Sequence, residues 1–148
     1  MPTSFPILLV DDDADVADLL NRIAVTDFPE AVFLHVDSFA QAASYLDNLE
    51  GRGPRLVLLD VNLRTGLTGL DFLTLIREHP QGRLVPVVML SSSQLDTDIH
   101  EALNRGASLF TQKPFTYVEW RQYVQNMRLY WYETVTTPNP KFMKGNTP

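Results

Sequence analysis

Apolar and polar residues follow two alternating patterns along the chain. Short runs of consecutive apolar residues, each too short for a helix of ordinary length, predict β-strands. These runs are 5–10, 31–36, 56–59, 86–90 and 107–111. Between them, apolar residues recur every three or four positions, as Val16, Leu19 and Ile23 do, and this spacing predicts the buried face of an α-helix. The chain is therefore expected to contain five strands that alternate with five helices.

Capping residues mark where several of these helices begin. Asp13 and Ser38 precede the first two helices, and their side-chain oxygens can accept hydrogen bonds from first-turn amides. Thr116 and Glu119 have the spacing of a capping box. This box opens a final helix that is predicted to extend to about Glu133.

The alternation of strands and helices predicts the fold class. Parallel strands need crossover connections, so this order indicates a five-stranded parallel sheet with helices on both faces, a doubly wound α/β sandwich. The runs 56–59 and 86–90 are apolar throughout, as expected of strands that are covered on both faces. Residues 1–133 are predicted to form one domain. The aperiodic tail 134–148 is expected to be mobile or to contribute to a dimer contact.

The composition narrows the classes of function. The 148 residues carry a net charge of −6, with an isoelectric point near 4.9, which argues against a nucleic-acid-binding face. There are no cysteines, so disulfides, thiolate metal sites and cysteine nucleophiles are excluded. The N-terminus lacks the pattern of a signal peptide, and no apolar run approaches the roughly 18 residues of a membrane span. A cytoplasmic protein without a membrane partner is expected.

Polar residues that could carry chemistry follow four of the five predicted strands. Asp11 and Asp12 follow the first strand, and Asp60 follows the third. Ser91 follows the fourth strand, and Lys113 comes shortly after the fifth. Each has an ordinary explanation on its own, as a helix cap, a loop residue or a solvated lysine. Their joint placement indicates a site, because ligands of such sheets bind beyond the carboxyl ends of the strands.

The residue types at this predicted site favour phosphoryl transfer. Neighbouring carboxylates repel one another, and a hard divalent cation such as Mg²⁺ relieves that repulsion. A lysine ammonium and a serine hydroxyl can both contact phosphoryl oxygens. Phosphoryl transfer needs positioning and charge neutralisation more than it needs covalent chemistry by many groups.

The same residues carry a resemblance to the response-regulator receiver family, which extends over about residues 5–133. The motifs are Leu9-Val10-Asp11-Asp12, Leu58-Leu59-Asp60-Val61-Asn62-Leu63, Val88-Met89-Leu90-Ser91 and Lys113-Pro114-Phe115. The resemblance implies a flavodoxin-like fold and a single-domain response regulator of a two-component phosphorelay. Such a protein takes its phosphoryl group from a sensor histidine kinase or a histidine phosphotransfer protein. It is not an enzyme beyond its own phosphoryl transfer and dephosphorylation.

The resemblance also assigns the metal ligands. Asp60 would accept the phosphoryl group and, together with Asp12, would bind Mg²⁺ directly, with Mn²⁺ as a substitute. The backbone carbonyl of Asn62 would complete the protein ligands, and Asp11 would act largely through water.

Further residues would contact the phosphoryl group. Ser91 and Lys113 would bind its oxygens, and Ser92 would lie beside them. Asn62 and Ser93 would flank the group and influence its rate of hydrolysis.

Phe110 lies three residues before Lys113, where the family places a switch aromatic, although a core phenylalanine explains it equally well. As a switch, Phe110 would turn inward when Ser91 moves. This would change the surface formed by the fourth helix, the fifth strand and the fifth helix, and with it the binding of a downstream protein. By the same resemblance, the peptide bond between Lys113 and Pro114 would be cis.

The loop after the acceptor departs from the family pattern. Arg64 and Thr68 stand where family members often have proline and an acidic residue. The loop 64–68 is also one residue longer than usual. Both departures bear on kinase docking and on the hydrolysis rate rather than on the chemistry.

Aromatic and methionine side chains recur at helical spacing along the last predicted helix. They are Trp120, Tyr123, Met127, Tyr130 and Trp131. Part of this set must pack on the sheet, but such residues are also enriched in interfaces, so they are candidate contacts of a homodimer. The stretch 128–136 is similar to C-terminal extensions of single-domain regulators that work with bacterial phytochrome kinases.

Two other functions fit part of the pattern. A Mg²⁺-dependent phosphatase of the haloacid dehalogenase type would use Asp11 as its nucleophile and would leave Asp60 unexplained. A receiver that serves as an unphosphorylated interaction module is the second alternative. A calcium loop beginning at Asp11 is excluded, because Val16 and Arg22 stand where glycine and glutamate are required.

Overall fold

The computed structural model describes residues 4–63, 66–92 and 95–144, and its elements follow the predicted alternation. In chain order they are β1 (Phe5–Val10), α1 (Ala14–Asp27), β2 (Ala31–Val36), α2 (Phe39–Asn48), β3 (Gly51–Arg52), β4 (Leu56–Asp60), α3 (Gly69–Glu78), a 3₁₀ helix (Gly82–Leu84), β5 (Val87–Ser91), α4 (Asp96–Asn104), β6 (Leu109–Gln112), α5 (Tyr117–Met127), a π-helix (Arg128–Thr134) and β7 (Lys141–Phe142). Within the described ranges, no helix combines the length and the apolar character that crossing a membrane requires.

Five parallel strands form the central sheet, in the order β2-β1-β4-β5-β6. The chain adds β2 on one side of β1 and then adds the other three strands on the opposite side. The direction of winding therefore reverses between β1 and β4, and the crevice at such a reversal is the usual place for a ligand. This topology confirms the predicted doubly wound, flavodoxin-like α/β fold. The third, fourth and fifth predicted strands are β4, β5 and β6.

Two hydrophobic clusters, one on each face of the sheet, hold the layers together. On one face α1 and α5 pack on the strands through residues such as Leu20 and Val124. On the other face α2, α3 and α4 contribute Leu46, Phe72 and Ala102. Every residue of β4 and β5 is buried, because both strands are covered on both faces. The strands that end at the predicted site are therefore held by the core.

The predicted caps form as expected. The side chains of Asp13 and Ser38 accept hydrogen bonds from first-turn amides at 2.9 and 3.1 Å. At the start of α5, the Thr116 hydroxyl accepts from the Glu119 amide at 3.1 Å, and the Glu119 carboxylate accepts from the Thr116 amide at 3.2 Å. Caps of this kind contribute about 1 kcal/mol each to the stability of a helix.

The last helix extends as far as predicted but changes its form after α5. The Thr134 hydroxyl donates to the Leu129 carbonyl, and Arg128 pairs with Glu133. Both pairs are five residues apart, which is the spacing of a π-helical turn. Arg128 also donates to both carboxylate oxygens of Glu30, at 2.9 and 3.1 Å. These contacts anchor the π-helix beside β2.

The aromatic set of this helix is divided between core and surface. Trp120 and Met127 are only 6% and 5% exposed and belong to the cluster under α5. Their prediction as dimer contacts is therefore wrong, because they supply the apolar face that packs α5 on the sheet. Tyr123 and Trp131 are half-buried, and Tyr130 is 47% exposed. Tyr130 is the member of the set that faces solvent most fully.

The described part of the tail is packed against the domain. β7 pairs with β3 in antiparallel orientation, and Phe142 is 1% exposed, with its ring centroid 5.4 Å from that of His79. Arg55 donates to the Thr137 hydroxyl at 2.9 Å. The sequence predicts that this segment is mobile, whereas its described residues pack against the domain. Isolated contacts of Phe142 and Thr137 hold the segment, and such contacts leave no periodic pattern of apolar residues in the sequence.

Phe142→Ala is expected to lower the free energy of unfolding by about 3–5 kcal/mol, because it removes a buried aromatic ring and leaves a cavity. Urea unfolding followed by circular dichroism would measure the change. Phe115→Ala is the matched control, since Phe115 is 75% exposed and should shift stability by no more than about 0.5 kcal/mol. Equal stability of the two variants would show that the tail does not contribute to the fold.

Candidate functional site

Three of the predicted carboxylates lie together at the carboxyl edge of the sheet. β1 and β4 are neighbours with Val10 opposite Leu59, so Asp11 and Asp60 follow at adjacent positions. Asp11 is fully buried and Asp60 is 5% exposed, whereas Asp12 is half-buried. Oxygen atoms from the three carboxylates lie within 4.8 Å of one another. The structure thus gathers these side chains in one acidic cluster.

The Lys113 ammonium contacts both buried carboxylates. Its Nζ lies 2.8 Å from Asp11 Oδ2 and 3.0 Å from Asp60 Oδ2. The Lys113 backbone N–H donates to the Ser91 carbonyl at 2.8 Å, which ties the segment after β6 to the end of β5. One positive charge therefore lies between two carboxylates that are largely shielded from water.

The peptide bond between Lys113 and Pro114 is trans, as are the other peptide bonds of the described residues. The prediction of a cis bond is therefore wrong for this structure. The bond before a proline still prefers trans by about 0.5–1 kcal/mol. With the trans bond, Lys113 contacts both aspartates.

Burial and neighbouring charges shift the pKa values at this site in opposite directions. Burial raises the pKa of Asp60 to about 6, because the ionised carboxylate loses hydration. Lys113 lowers that pKa, and the nearby charge of Asp11 raises it. Burial by itself lowers the pKa of Lys113, but its contacts with both aspartates outweigh this effect and hold that pKa above its usual value. Lys113 therefore stays protonated.

The donor set fits a hard divalent cation. Mg²⁺ prefers carboxylate and carbonyl oxygens, and three clustered carboxylates carry more negative charge than one lysine neutralises. Asp11, Asp12 and Asp60 could hold such an ion, with the carbonyl of Asn62 as a further ligand. The Asn62 amide donates to Asp60 Oδ1 at 3.1 Å and so orients the Asp60 carboxylate.

The predicted phosphoryl-binding serines lie at the end of the next strand. Ser91 is the last residue of β5, is fully buried and pairs with Gln112 of β6. Ser92 follows it and is exposed. Ser93 lies outside the described residues. Ser91 and Lys113 are thus the predicted contacts that the sheet itself positions.

Successive residues of β6 contact opposite faces of the sheet. Phe110, the predicted switch aromatic, is partly buried against the cluster under α2, α3 and α4. The Thr111 hydroxyl donates to the Met89 carbonyl at 2.8 Å and lies 2.9 Å from the Tyr123 hydroxyl of α5. Burial raises the pKa of Tyr123 to about 12, so this hydroxyl stays protonated. β6 is therefore bonded to α5 and packed against the opposite layer as well.

Thr68, one of the departures from the family pattern, caps α3. Its backbone amide donates to the Asp71 carboxylate at 2.7 Å, and its hydroxyl accepts from the Asp71 amide at 3.4 Å. A threonine at this position therefore has a local structural role. Arg64 lies outside the described residues.

Two further residues contact the site and were not predicted from the sequence. Gly69 begins α3 so close to β4 that a Cβ atom there would overlap the carbonyl oxygen of Asp60. A glycine that opens a helix is a usable signal, because glycine is a poor helix former. His35 Nε2 lies 2.6 Å from the carbonyl oxygen of Asp11. No local pattern indicates His35, because this contact joins two strands.

A model of the response regulator receiver domain family matches residues 7–125. Among curated relatives, the chain is 31% identical over 140 residues to the probable methanogenesis regulatory protein FilR2 of Methanothrix harundinacea. The match covers 92% of this chain and 89% of the relative.

Two solved structures resemble the chain over nearly their whole length. The phosphorylated cyanobacterial phytochrome response regulator RcpA superposes with a TM-score of 0.82 at 25% identity, covering 92% of this chain and 99% of that chain. The Mn²⁺-bound form of the response regulator Rcp1 superposes with a TM-score of 0.79 at 26% identity, covering 90% of this chain and 99% of that chain. Rcp1 is a protein of Synechocystis sp..

Asp60→Asn is expected to stabilise the metal-free protein at pH 8. In the folded protein the pKa of Asp60 is raised to about 6, so ionised Asp60 opposes folding by about 3 kcal/mol above pH 6. The gain should shrink as the pH falls from 6 towards 4, where the wild-type carboxyl becomes neutral. Urea unfolding in EDTA at several pH values would measure it.

Asp71→Asn is the control, because its effect on stability is expected to be opposite to that of Asp60→Asn. Hydrogen bonds from Thr68 lower the pKa of Asp71, so its ionised form favours folding. This variant should be less stable than wild type at pH 8. If Asp60→Asn also lost stability at pH 8, the buried carboxylate would not be the unfavourable group that its pKa indicates.

Proposed function

Because the chain belongs to the response regulator receiver domain family, we propose that it accepts a phosphoryl group on Asp60 from a histidine kinase or a histidine phosphotransfer protein. The family model spans most of the chain, so the predicted family is confirmed. One observation carries the proposal. Lys113 contacts two buried carboxylates at the carboxyl edge of the sheet, where an incoming phosphoryl group would meet both an acceptor and a positive charge.

In the proposed transfer, a carboxylate oxygen of Asp60 attacks the phosphorus of a phosphohistidine. An oxygen–phosphorus bond forms and the nitrogen–phosphorus bond breaks, and its electron pair returns to the imidazole nitrogen. The product is an acyl phosphate on Asp60. Catalysis of such a step consists mainly of positioning and charge neutralisation, so the protein needs few groups beyond those of its own site.

Lys113 and Ser91 are proposed to bind the transferred group. Lys113 already contacts Asp60 Oδ2, so a short movement brings its ammonium to a phosphoryl oxygen. Ser91 ends the neighbouring strand, and its hydroxyl would donate to another oxygen, with Ser92 beside it. Asn62 lies two residues after the acceptor and would limit the approach of hydrolytic water.

The acidic cluster is proposed to hold Mg²⁺ during the transfer. Asp11, Asp12 and Asp60 contribute carboxylates, and Asn62 contributes its backbone carbonyl. When bound, the ion neutralises charge on the phosphoryl oxygens. Asp11 stays paired with Lys113, and this pairing keeps the lysine beside the acceptor.

Phosphorylation is proposed to change the surface formed by α4, β6 and α5. When Lys113 turns to the phosphoryl group, the backbone bond from its amide to Ser91 carries the movement into β6. Phe110 would then move in one layer, while Thr111 pulls on Tyr123 in the other. A shift between two arrangements of this surface would alter the binding of a downstream protein.

The kinase that donates the phosphoryl group is proposed to be of the phytochrome type. RcpA is described as a cyanobacterial phytochrome response regulator, and its structure superposes on 92% of this chain. The similarity of the stretch 128–136 to the C-terminal extensions of regulators that work with phytochrome kinases supports the same proposal. In this chain the stretch begins with the π-helix that is anchored to Glu30.

The exposed part of the aromatic set is proposed to contact a second copy of the chain. Leu109 is 41% exposed and Tyr130 is 47% exposed, and both line one cavity of about 250 Å³ between β6 and the π-helix. Leu129 is also exposed on the π-helix. Apolar side chains that line one concave surface fit an interface better than scattered ones do.

Incubation with acetyl phosphate and Mg²⁺ should add one phosphoryl group to the wild-type protein, as measured by intact mass. Asp60→Asn should remain unlabelled, because it removes the acceptor oxygen. EDTA should abolish labelling, because the carboxylate cluster then lacks its cation. Labelling of Asp60→Asn at the wild-type level would overturn the proposal.

Asp11→Asn separates this function from that of a phosphatase that uses Asp11 as its nucleophile. It should still be labelled, although more slowly, with the phosphoryl group on Asp60. Peptide mapping would locate the group. A label on Asp11 in the wild-type protein would favour the phosphatase instead.

Beryllofluoride with Mg²⁺, a mimic of the phosphoryl group, should increase the sedimentation coefficient towards that of a dimer. Tyr130→Ser should reduce this shift, because it removes the most exposed ring of the aromatic set. Val25→Ser on α1 is the control, since Val25 is 73% exposed but lies on another helix. An unchanged coefficient in the wild-type protein would contradict dimerisation through this surface.

A further inference from the structure

The backbone N–H and the backbone carbonyl of Asp11 both form hydrogen bonds to residues of β2. Its N–H donates to the Val36 carbonyl at 3.1 Å, which extends the pairing of β1 with β2 by one residue. Its carbonyl oxygen lies 2.6 Å from Nε2 of His35. The β1–β2 pairing ends at this point, and the His35 side chain replaces the backbone N–H that would otherwise donate to the Asp11 carbonyl.

The tautomer of His35 follows from its partner. A carbonyl oxygen can only accept a hydrogen bond, so Nε2 carries the hydrogen and donates it. His35 pairs with Leu9 in the sheet, and its side chain reaches the carbonyl of Asp11, one residue past the end of β1. The ring is half-buried, so it is partly shielded from competing water.

The hydrogen bond from His35 orients the peptide group that precedes Asp12. The Asp11 carbonyl belongs to the peptide group that joins Asp11 to Asp12, so the donor at Nε2 fixes the plane of that peptide. The Asp11 carboxylate is fixed separately, because its Oδ1 accepts from the Asp13 amide at 2.9 Å. The direction in which the Asp12 side chain projects from the backbone therefore depends on His35.

We propose that His35 is a positioning residue for divalent-cation binding and, through it, for phosphorylation of Asp60. This inference rests on the proposed function of the acidic cluster. His35 contacts no reacting atom. It holds the Asp11–Asp12 peptide in the orientation that directs the Asp12 carboxylate towards the acidic cluster.

The experiment compares two substitutions that differ in one hydrogen-bond donor. His35→Gln keeps an N–H at about the position of Nε2, and His35→Leu fills similar space without a donor. Isothermal titration with MgCl₂ and MnCl₂ would give the dissociation constants. His35→Leu should bind both ions about 10–100-fold more weakly, as is typical when a group that orients metal ligands is lost. His35→Gln should stay within about threefold of wild type, below the 10–100-fold loss that is expected without the donor.

Two controls separate positioning from a general loss of structure. His100→Leu removes an exposed histidine on α4 and should leave ion affinity unchanged. Thermal unfolding in EDTA should show His35→Leu and His35→Gln folded, with similar midpoints. A His35→Leu protein that binds Mg²⁺ as tightly as wild type would overturn the proposal. Equal weakening in both His35 variants would also overturn it, because the ring rather than the donor would then matter.

Phosphorylation supplies an independent readout. With acetyl phosphate, His35→Leu should need a higher Mg²⁺ concentration for half-maximal labelling, while its rate at saturating Mg²⁺ stays near wild type. A reduced saturated rate with unchanged Mg²⁺ dependence would contradict a role in cation positioning. If the wild-type protein were not labelled at all, the proposed function would fail, whereas the titrations would still decide the role of His35.

Discussion

The contact of one ammonium with two buried carboxylates constrains much of the molecule. Asp11 and Asp60 end adjacent strands, and both are shielded from water, so their charges would repel strongly without Lys113. Lys113 can stay between them only if the end of β6 is held, and the Ser91 carbonyl holds its backbone. The fully buried strands β4 and β5 supply a rigid edge for this arrangement, and the core stability offsets the cost of gathering charge there.

Because neighbouring side chains of β6 point to opposite faces of the sheet, this strand connects the site to the helices of both layers. Phe110 packs with the helices of one face, and Thr111 is bonded to Tyr123 on the other. A displacement of this edge strand is therefore felt by α5 and by the opposite layer together. The central strands lack this freedom, because they are hydrogen-bonded to neighbours on both sides. The edge strand β6, which β5 separates from the strand that carries Asp60, is thus well placed to move without disrupting the sheet.

Much of the fold and of the acidic cluster could be predicted because the signals are local. Strand ends appear as abrupt changes from apolar to acidic residues, as after Leu59, and helix starts appear as caps such as Thr116. The contact from His35 to Asp11 and the burial of Phe142 join residues far apart in the chain, and no periodic pattern encodes them. The trans bond before Pro114 could not be predicted either, because it depends on the surrounding tertiary structure.

The close approach of Gly69 to the acceptor strand bears on how the neighbouring loop can vary. The Gly69 amide is bonded to the Val61 carbonyl at 3.0 Å, and the Asn62 amide is bonded to Asp60. Both ends of the stretch 62–68 are therefore fixed against β4. Residues inserted between these two ends lengthen the loop without shifting the aspartate that precedes it. Under the proposed function, kinase docking and the rate of phosphate hydrolysis can therefore be altered through this loop, while the geometry of Asp60 stays unchanged.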